Sequence, residues 1–497
     1  MLHPLRRYGS FALVVLVYAY IGLVLMDRQH AWISSETIAT ENYILSEGGH
    51  LHPRDLKRAL NFTVFENGPR VSRPLSCGLE VLDTKFRAWL WHYLPPRPSL
   101  SLTLFFTLFL TPLCLFGLLR NLGLAPDLSR LATALYLASP GCLSCVSLLF
   151  RPSKGMTNFS LAACLLLASR LKKENTRRGF YFLIAFIFFS FFWDETALLI
   201  YPAVLIFFPT IFQTGERKLI YLSLPFAVLT MYLGIIPWLS HLAGYATPHP
   251  FEYSVIQYPQ FRGGRAFLIH LLINFRLFFN QSFALINLRE LPGIGGKLLC
   301  LTHLTVLSGI LIARLTHREP TPGPRFPLAS RLAGFLVALI IFHTLLMAMA
   351  SSQIAPIYWY GCYWSLFFTI LLALGFQKWN ASRMVFPFAA LFVVTLLYLF
   401  PLMNDTAHRY FYYLPSPARA ALQGRMKETD AWFLLPAVTS SHADALTLAY
   451  WNEVRKTHRL PKISLPPDFD YLPVELSPLT QDPPRHLHGP LSRQALN

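Results

Sequence analysis

Apolar residues in this chain fall in long unbroken runs rather than in alternation. Runs near 11–26, 100–119, 131–150, 157–169, 179–193, 197–212, 219–238, 297–313, 332–350, 360–376 and 384–403 are separated by short polar gaps. Most have the length an α-helix needs, at 1.5 Å per residue, to cross a hydrocarbon layer of about 30 Å. The pattern predicts an all-α polytopic membrane protein with about eleven transmembrane helices. The stretch 266–290 is long enough to be a twelfth. His270, Asn274, Arg276, Asn280 and Gln281 would each cost free energy in lipid, which favours an amphipathic helix on the outer surface instead.

Charge fixes the expected orientation. Arg6 and Arg7 precede the first run, and no small-residue cleavage site follows it, so 11–26 is a retained span with a cytoplasmic N-terminus. Counting alternately, the inner loops become RNLGLAPDLSR, SRLKKENTRR, QTGERK, ARLTHREPTPGPRFPLASR and QKWNASR. Each is rich in Lys or Arg, so count and orientation agree. A transmembrane domain over 1–403 then carries two large outer loops, 27–99 and 239–296, and a C-terminal extramembrane region, 404–497, that is partly irregular. Two short helices are expected in that region, near 417–434 and 440–457.

Composition narrows the class further. Lys and Arg number 43 against 25 Asp and Glu, a formal net charge of +18, yet charged residues make up only 14% and hydrophobic residues 54%. The basic residues sit between apolar runs rather than on one soluble face with aromatic platforms, so the balance reports topology and argues against nucleic acid as a partner. The seven cysteines show no disulfide or zinc spacing, and the C-x-x-C formed by Cys142 and Cys145 lies in an apolar run and reads as core packing.

Candidate chemistry gathers on the outer side. The first outer loop opens with Asp27, Glu36 and Glu41 close to the first helix. It closes with a segment, 78–93, in which Leu79, Leu82, Phe86, Leu90 and Tyr93 recur at helical spacing, as in a helix lying in the membrane plane. SFFWDETALLIYP leaves almost no loop between two spans and sets Asp194 and Glu195 at the outer boundary. A water-exposed tight turn is the plainer account of that pair. Against it, carboxylates between apolar helices are costly unless they face a polar cavity, where the neutral form is favoured and a proton can be taken or shared. Arg70 and Arg73 in the first loop, and Arg151 and Lys154 at the outer end of the third span, are candidate phosphate ligands. Tyr358, Trp359, Tyr360, Tyr363 and Trp364 crowd the outer end of the tenth span, as an aromatic belt or as faces for a sugar ring.

The layout carried by DRQHAWISSETIATENYILSEGG, GPRVSRPLSCGLEVLDTKFRAWLWHYLPPRPSLS, WDETALL and YWYG resembles that of the multi-spanning C-type (GT-C) glycosyltransferases as far as about residue 403. The resemblance implies transfer of a sugar from a polyprenyl-phosphate donor to a lipid or glycan acceptor at the outer face, with inversion. A first-loop carboxylate, Asp27, Glu36 or Glu41, would be the base. Asp194 or Glu195 would orient the acceptor or hold a divalent cation, and Arg70, Arg73, Arg151 and Lys154 would supply positive charge. Tyr358 and Tyr360 would border the sugar. The alternating count puts the C-terminus of this multi-pass chain outside, and the N-x-Ser/Thr triplets at Asn61, Asn158, Asn280, Asn380 and Asn404, read as chance, favour a bacterial inner (plasma) membrane. A transporter or flippase of an amphipathic substrate, or a non-catalytic membrane subunit, remains the alternative from another class. Transporters, however, show internal repeats and midplane charges that this pattern lacks.

Overall fold

The computed structural model describes residues 2–26, 74–93, 100–147, 152–242, 331–339 and 362–378, with single helical positions at 268, 272, 341, 390, 393, 394 and 397. Among them every regular element is helical and no strand occurs. The elements are α1 (Leu2–Met26), α2 (Pro74–Tyr93), α3 (Leu102–Asn121), α4 (Pro126–Ala138), α5 (Pro140–Ser147), α6 (Pro152–Glu174) and α7 (Arg177–Ser190). A 3-10 turn (Glu195–Leu199) leads into α8 (Ile200–Phe207), α9 (Gly215–Thr230) continues through a π turn (Met231–Ile235) into α10 (Ile236–Leu242), and α11 is Cys362–Lys378. Two helices, Leu102–Asn121 and Gly215–Ile235, are long and apolar enough to cross a membrane. The expected span at 297–313, nearly all of 384–403 and of the helix at 266–290, and the region 404–497 lie outside the described residues.

Local chemistry explains the breaks. The run expected as one span over 131–150 is two helices, because Pro140 has no N–H and forces the preceding residue out of helical geometry. Ser139 is accordingly extended, at ψ 143°, and its hydroxyl accepts from the Cys142 N–H at 3.3 Å. Between α3 and α4, Gly123 takes φ 80°, which a side chain would resist, and the Leu124 N–H closes back on the Leu119 carbonyl at 3.0 Å. Pro126 then opens α4 where no helix donor is lost. Within α3, Phe105–Leu110 is a π turn, and Pro112 opens the α-helical stretch that follows it. The Tyr18 hydroxyl of α1 donates to the Leu108 carbonyl in that turn, which ties the first helix to the third.

Helix α6 is the hub. It packs against α2, α3, α5, α7, α8 and α11, and nearly all of its residues from Ser153 to Ser169 are buried. A helix covered on all sides turns its small polar residues inward, where each one left without a partner costs free energy. At its C-terminal end, Lys173 donates to Asn121 at 3.3 Å, Arg217 donates to Asn175, and Glu216 accepts from Tyr181 at 3.1 Å. The basic residues of RNLG, SRLKKENTRR and QTGERK are thereby brought to one end of the bundle. The N-terminal end of α6 lies about 34 Å away at 1.5 Å per residue over its 23 residues.

The distribution of side chains inverts that of a water-soluble protein. Leu219 and Phe226 on α9 are 71% and 72% exposed, while Lys154 and Asp194 are fully buried. Phe105, Phe109 and Leu113 form a second exposed apolar row on α3. Soluble monomers rarely present apolar patches of more than a few hundred Å².

Candidate functional site

The site grows from the first turn of the hub. PSKGMTN places Lys154, Gly155 and Asn158 at the N-terminal end of α6, and the short connection Phe191–Trp193 between α7 and the following 3-10 turn brings Asp194 beside them. Asp194 is extended, at φ −166°, and caps that turn. Its Oδ1 accepts from the Thr196 N–H at 3.0 Å and from the Thr196 hydroxyl at 2.6 Å. Lys154 Nζ donates to Oδ1 at 2.7 Å and to Oδ2 at 2.8 Å. Neither side chain reaches solvent. A buried charge pair holds together when both oxygens are engaged and further donors satisfy the carboxylate, as the Thr196 groups do here.

A second buried carboxylate stands nearby. Asp83 on α2 is 3% exposed. Its Oδ1 accepts from the Thr103 N–H at 3.1 Å, and its Oδ2 accepts from the Thr103 hydroxyl. Thr103 lies in the first turn of α3, where the backbone N–H groups have no partner inside the helix and the dipole favours an anion. Asp83 therefore caps a helix of another segment. The Leu75 N–H at the start of α2 donates to the Phe192 carbonyl at 3.2 Å, two residues before Asp194. Thus α2 is tied both to the helix Asp83 caps and to the turn that carries Asp194.

Gly155 sets how closely α6 approaches α3. A Cβ there would land on Thr107 Oγ1 and lie 3.1 Å from Thr103 Cγ2, so only glycine allows the two helices this close. Thr103, which holds Asp83, therefore packs against the turn of α6 that carries Lys154. One turn further along α6, Asn158 is fully buried, and neither its Nδ2 nor its Oδ1 has a hydrogen-bond partner among the described residues.

The expected residues divide as follows. Lys154 and Asp194, read separately from the sequence as a phosphate ligand and as an acid, are each other's partner. Glu195 begins the 3-10 turn, and its side chain is not among those described. Asp27, Glu36, Glu41, Arg70, Arg73, Arg151, Tyr358 and Tyr360 lie outside the described residues. Tyr363 and Trp364, taken as part of an outer aromatic crowd, are 2% and 0% exposed in the core on α11. The helix expected over 78–93 begins one turn earlier, at Pro74.

The ammonium of Lys154 takes both oxygens of Asp194, and the Glu195 side chain expected to share a cation with it is not among those described. Sequence reasoning missed Asp83. Its signal was a charge one helical turn after Leu79, beside the apolar positions of the predicted helix. Comparison of this chain with protein-family models, curated proteins and solved structures finds no match.

Proposed function

We propose that this chain is an integral membrane glycosyltransferase that moves a sugar from a polyprenyl-phosphate donor to a lipid or glycan acceptor. The observation that supports this reading is the buried Lys154–Asp194 pair. It lies at the end of the bundle away from the basic loops, where the helix of the first outer loop attaches. Charges inside an apolar bundle are expensive and mark functional sites by default. The exposed apolar rows on α3 and α9 support the membrane setting.

In the proposed reaction the acceptor hydroxyl oxygen attacks C1 of the donor sugar from the side opposite its phosphate. The C1–O bond breaks, and polyprenyl phosphate leaves with the bonding pair. The hydroxyl proton passes to a first-loop carboxylate, Asp27, Glu36 or Glu41. Arg70, Arg73 and Arg151 supply positive charge to the departing phosphate, and the Lys154–Asp194 pair, sealed from solvent, fixes the first turn of α6 to the turn after α7. Asp194 is then a positioning residue, and no step requires a metal.

The test is deletion of the gene, with surface glycans and polyprenyl-linked sugars measured by mass spectrometry. Complementation uses the wild type, Glu36→Gln, Asp194→Asn and the double variant Lys154→Met/Asp194→Leu, all at matched membrane abundance. Loss of a glycosylated product with accumulation of its donor, restored only by the wild type, is the expected result. Unchanged glycans, or full rescue by all three variants, would sink the proposal. If transfer survives in broken membranes but donor builds up on the cytoplasmic face of intact cells, the protein moves the substrate instead.

A further inference from the structure

Among its described side chains, helix α2 turns polar and charged groups inward and apolar ones outward. Ser76, Leu79, Asp83 and Lys85 are buried, whereas Leu75, Leu82, Trp89 and Tyr93 are exposed and Phe86 is partly exposed. At 3.6 residues per turn, positions 75, 82, 86, 89 and 93 return to one side and form a single row. The row is continuous at its far end, with Phe86 and Trp89 ring centroids 5.9 Å apart and Trp89 and Tyr93 5.4 Å apart. An interfacial helix turns its charged face to water. Of the charged side chains of α2 that are described, Asp83 is held by Thr103 of α3, and Lys85, on the other flank, is 4% exposed.

The helix to which α2 is fixed exposes apolar side chains as well. Asp83 and Thr103 hold α2 against the start of α3, one of the two helices among the described residues long and apolar enough to cross a membrane, and Leu102, Phe105, Phe109 and Leu113 of α3 are exposed. A helix tied by a buried carboxylate to the first turn of such a span shares its surroundings. From this we infer that α2 lies within the acyl-chain layer, pressed between lipid chains on its Leu75–Leu82–Trp89–Tyr93 side and the helix bundle on its Ser76–Asp83 side. The occupant of the exposed row is bilayer acyl chain, not water, a second protein or lipid head groups. This inference rests on the membrane reading and is independent of the sugar-transfer reaction.

The test places photoreactive benzoylphenylalanine at positions 82, 89 and 93 of the full-length chain, one at a time, with position 76 as the inward control. Native membranes are irradiated and adducts are mapped by mass spectrometry. Adducts on phospholipid acyl chains at 82, 89 and 93, with cross-links only into the chain itself from 76, are expected. Adducts confined to head groups would return α2 to the interface and overturn the inference. Cross-links to protein from the outward positions would overturn it, and so would the absence of any adduct there. Normal surface glycans in the deletion strain would sink the transferase reading while leaving this result untouched.

Discussion

Lys154 Nζ lies 2.7 Å from Asp194 Oδ1 and 2.8 Å from Asp194 Oδ2, across 40 residues of sequence, with both side chains sealed from solvent. Such a pair is weak as a source of net stability, because two charges must leave water to form it. It is severe when halved, because the remaining charge is then buried alone. Asp194→Asn or Lys154→Met is expected to lower stability by about 3–5 kcal/mol, and Lys154→Met/Asp194→Leu to recover most of that loss. Thermal unfolding of the detergent-purified chain measures it. Equal losses in the double and single variants would show that the charges are not paired in the folded protein.

Gly155 sets the distance between α6 and α3. Gly155→Ala drives a methyl group into Thr107 Oγ1 and against Thr103 Cγ2, and overpacking of this kind costs about 1–3 kcal/mol. Thr107→Ala removes the nearer obstacle and should restore part of the loss when combined with Gly155→Ala. The same unfolding experiment reads both. A Gly155→Ala variant as stable as the wild type would mean that the helices stand further apart than described.

Asp83 acts through Thr103. Asp83→Ala leaves the Thr103 N–H and hydroxyl without their acceptor at a buried helix start, a loss of about 1–3 kcal/mol. Local loosening of α2 should appear as faster amide hydrogen exchange over 74–93, with α9 unaffected. Exchange that rises evenly through the whole chain would argue for global destabilisation rather than release of this helix.

Asn158 is a buried amide with no hydrogen-bond partner among the described residues, and an unsatisfied polar group of that kind destabilises by about 1–3 kcal/mol. Asn158→Leu keeps the branching at Cγ, removes the unpaired polar atoms and should hold or raise the melting temperature. A clear drop would show that the amide has a partner in the folded protein, and a bound ligand or water would then be sought there.

Several of the described helices were legible from the sequence, though not their breaks. Long apolar runs announced α3, α6, α7 and α9, and Thr176 and Thr214 cap α7 and α9 through the N–H groups of Gly179 and Arg217. Leu79 and its neighbours announced α2 to within one turn. Pro140 was visible in the sequence as well, yet the apolar run around it concealed the break it imposes. The candidate site was legible only in pieces. Lys154 and Asp194 were singled out for separate reasons, and Asp83 went unnoticed because a single charge in an amphipathic helix reads as part of its solvated face.

Sequence by itself determined that the chain is helical and rich in apolar segments, since helix periodicity and run length follow from backbone geometry and side-chain transfer alone. Tertiary structure decided which lysine meets which aspartate, and which side of α2 turns inward. The physical reason is that lipid chains and a protein core are almost equally apolar. A row such as Leu82, Trp89 and Tyr93 has the same pattern whether it faces a neighbouring helix or the bilayer. Only the position of Asp83 against Thr103 separates the two.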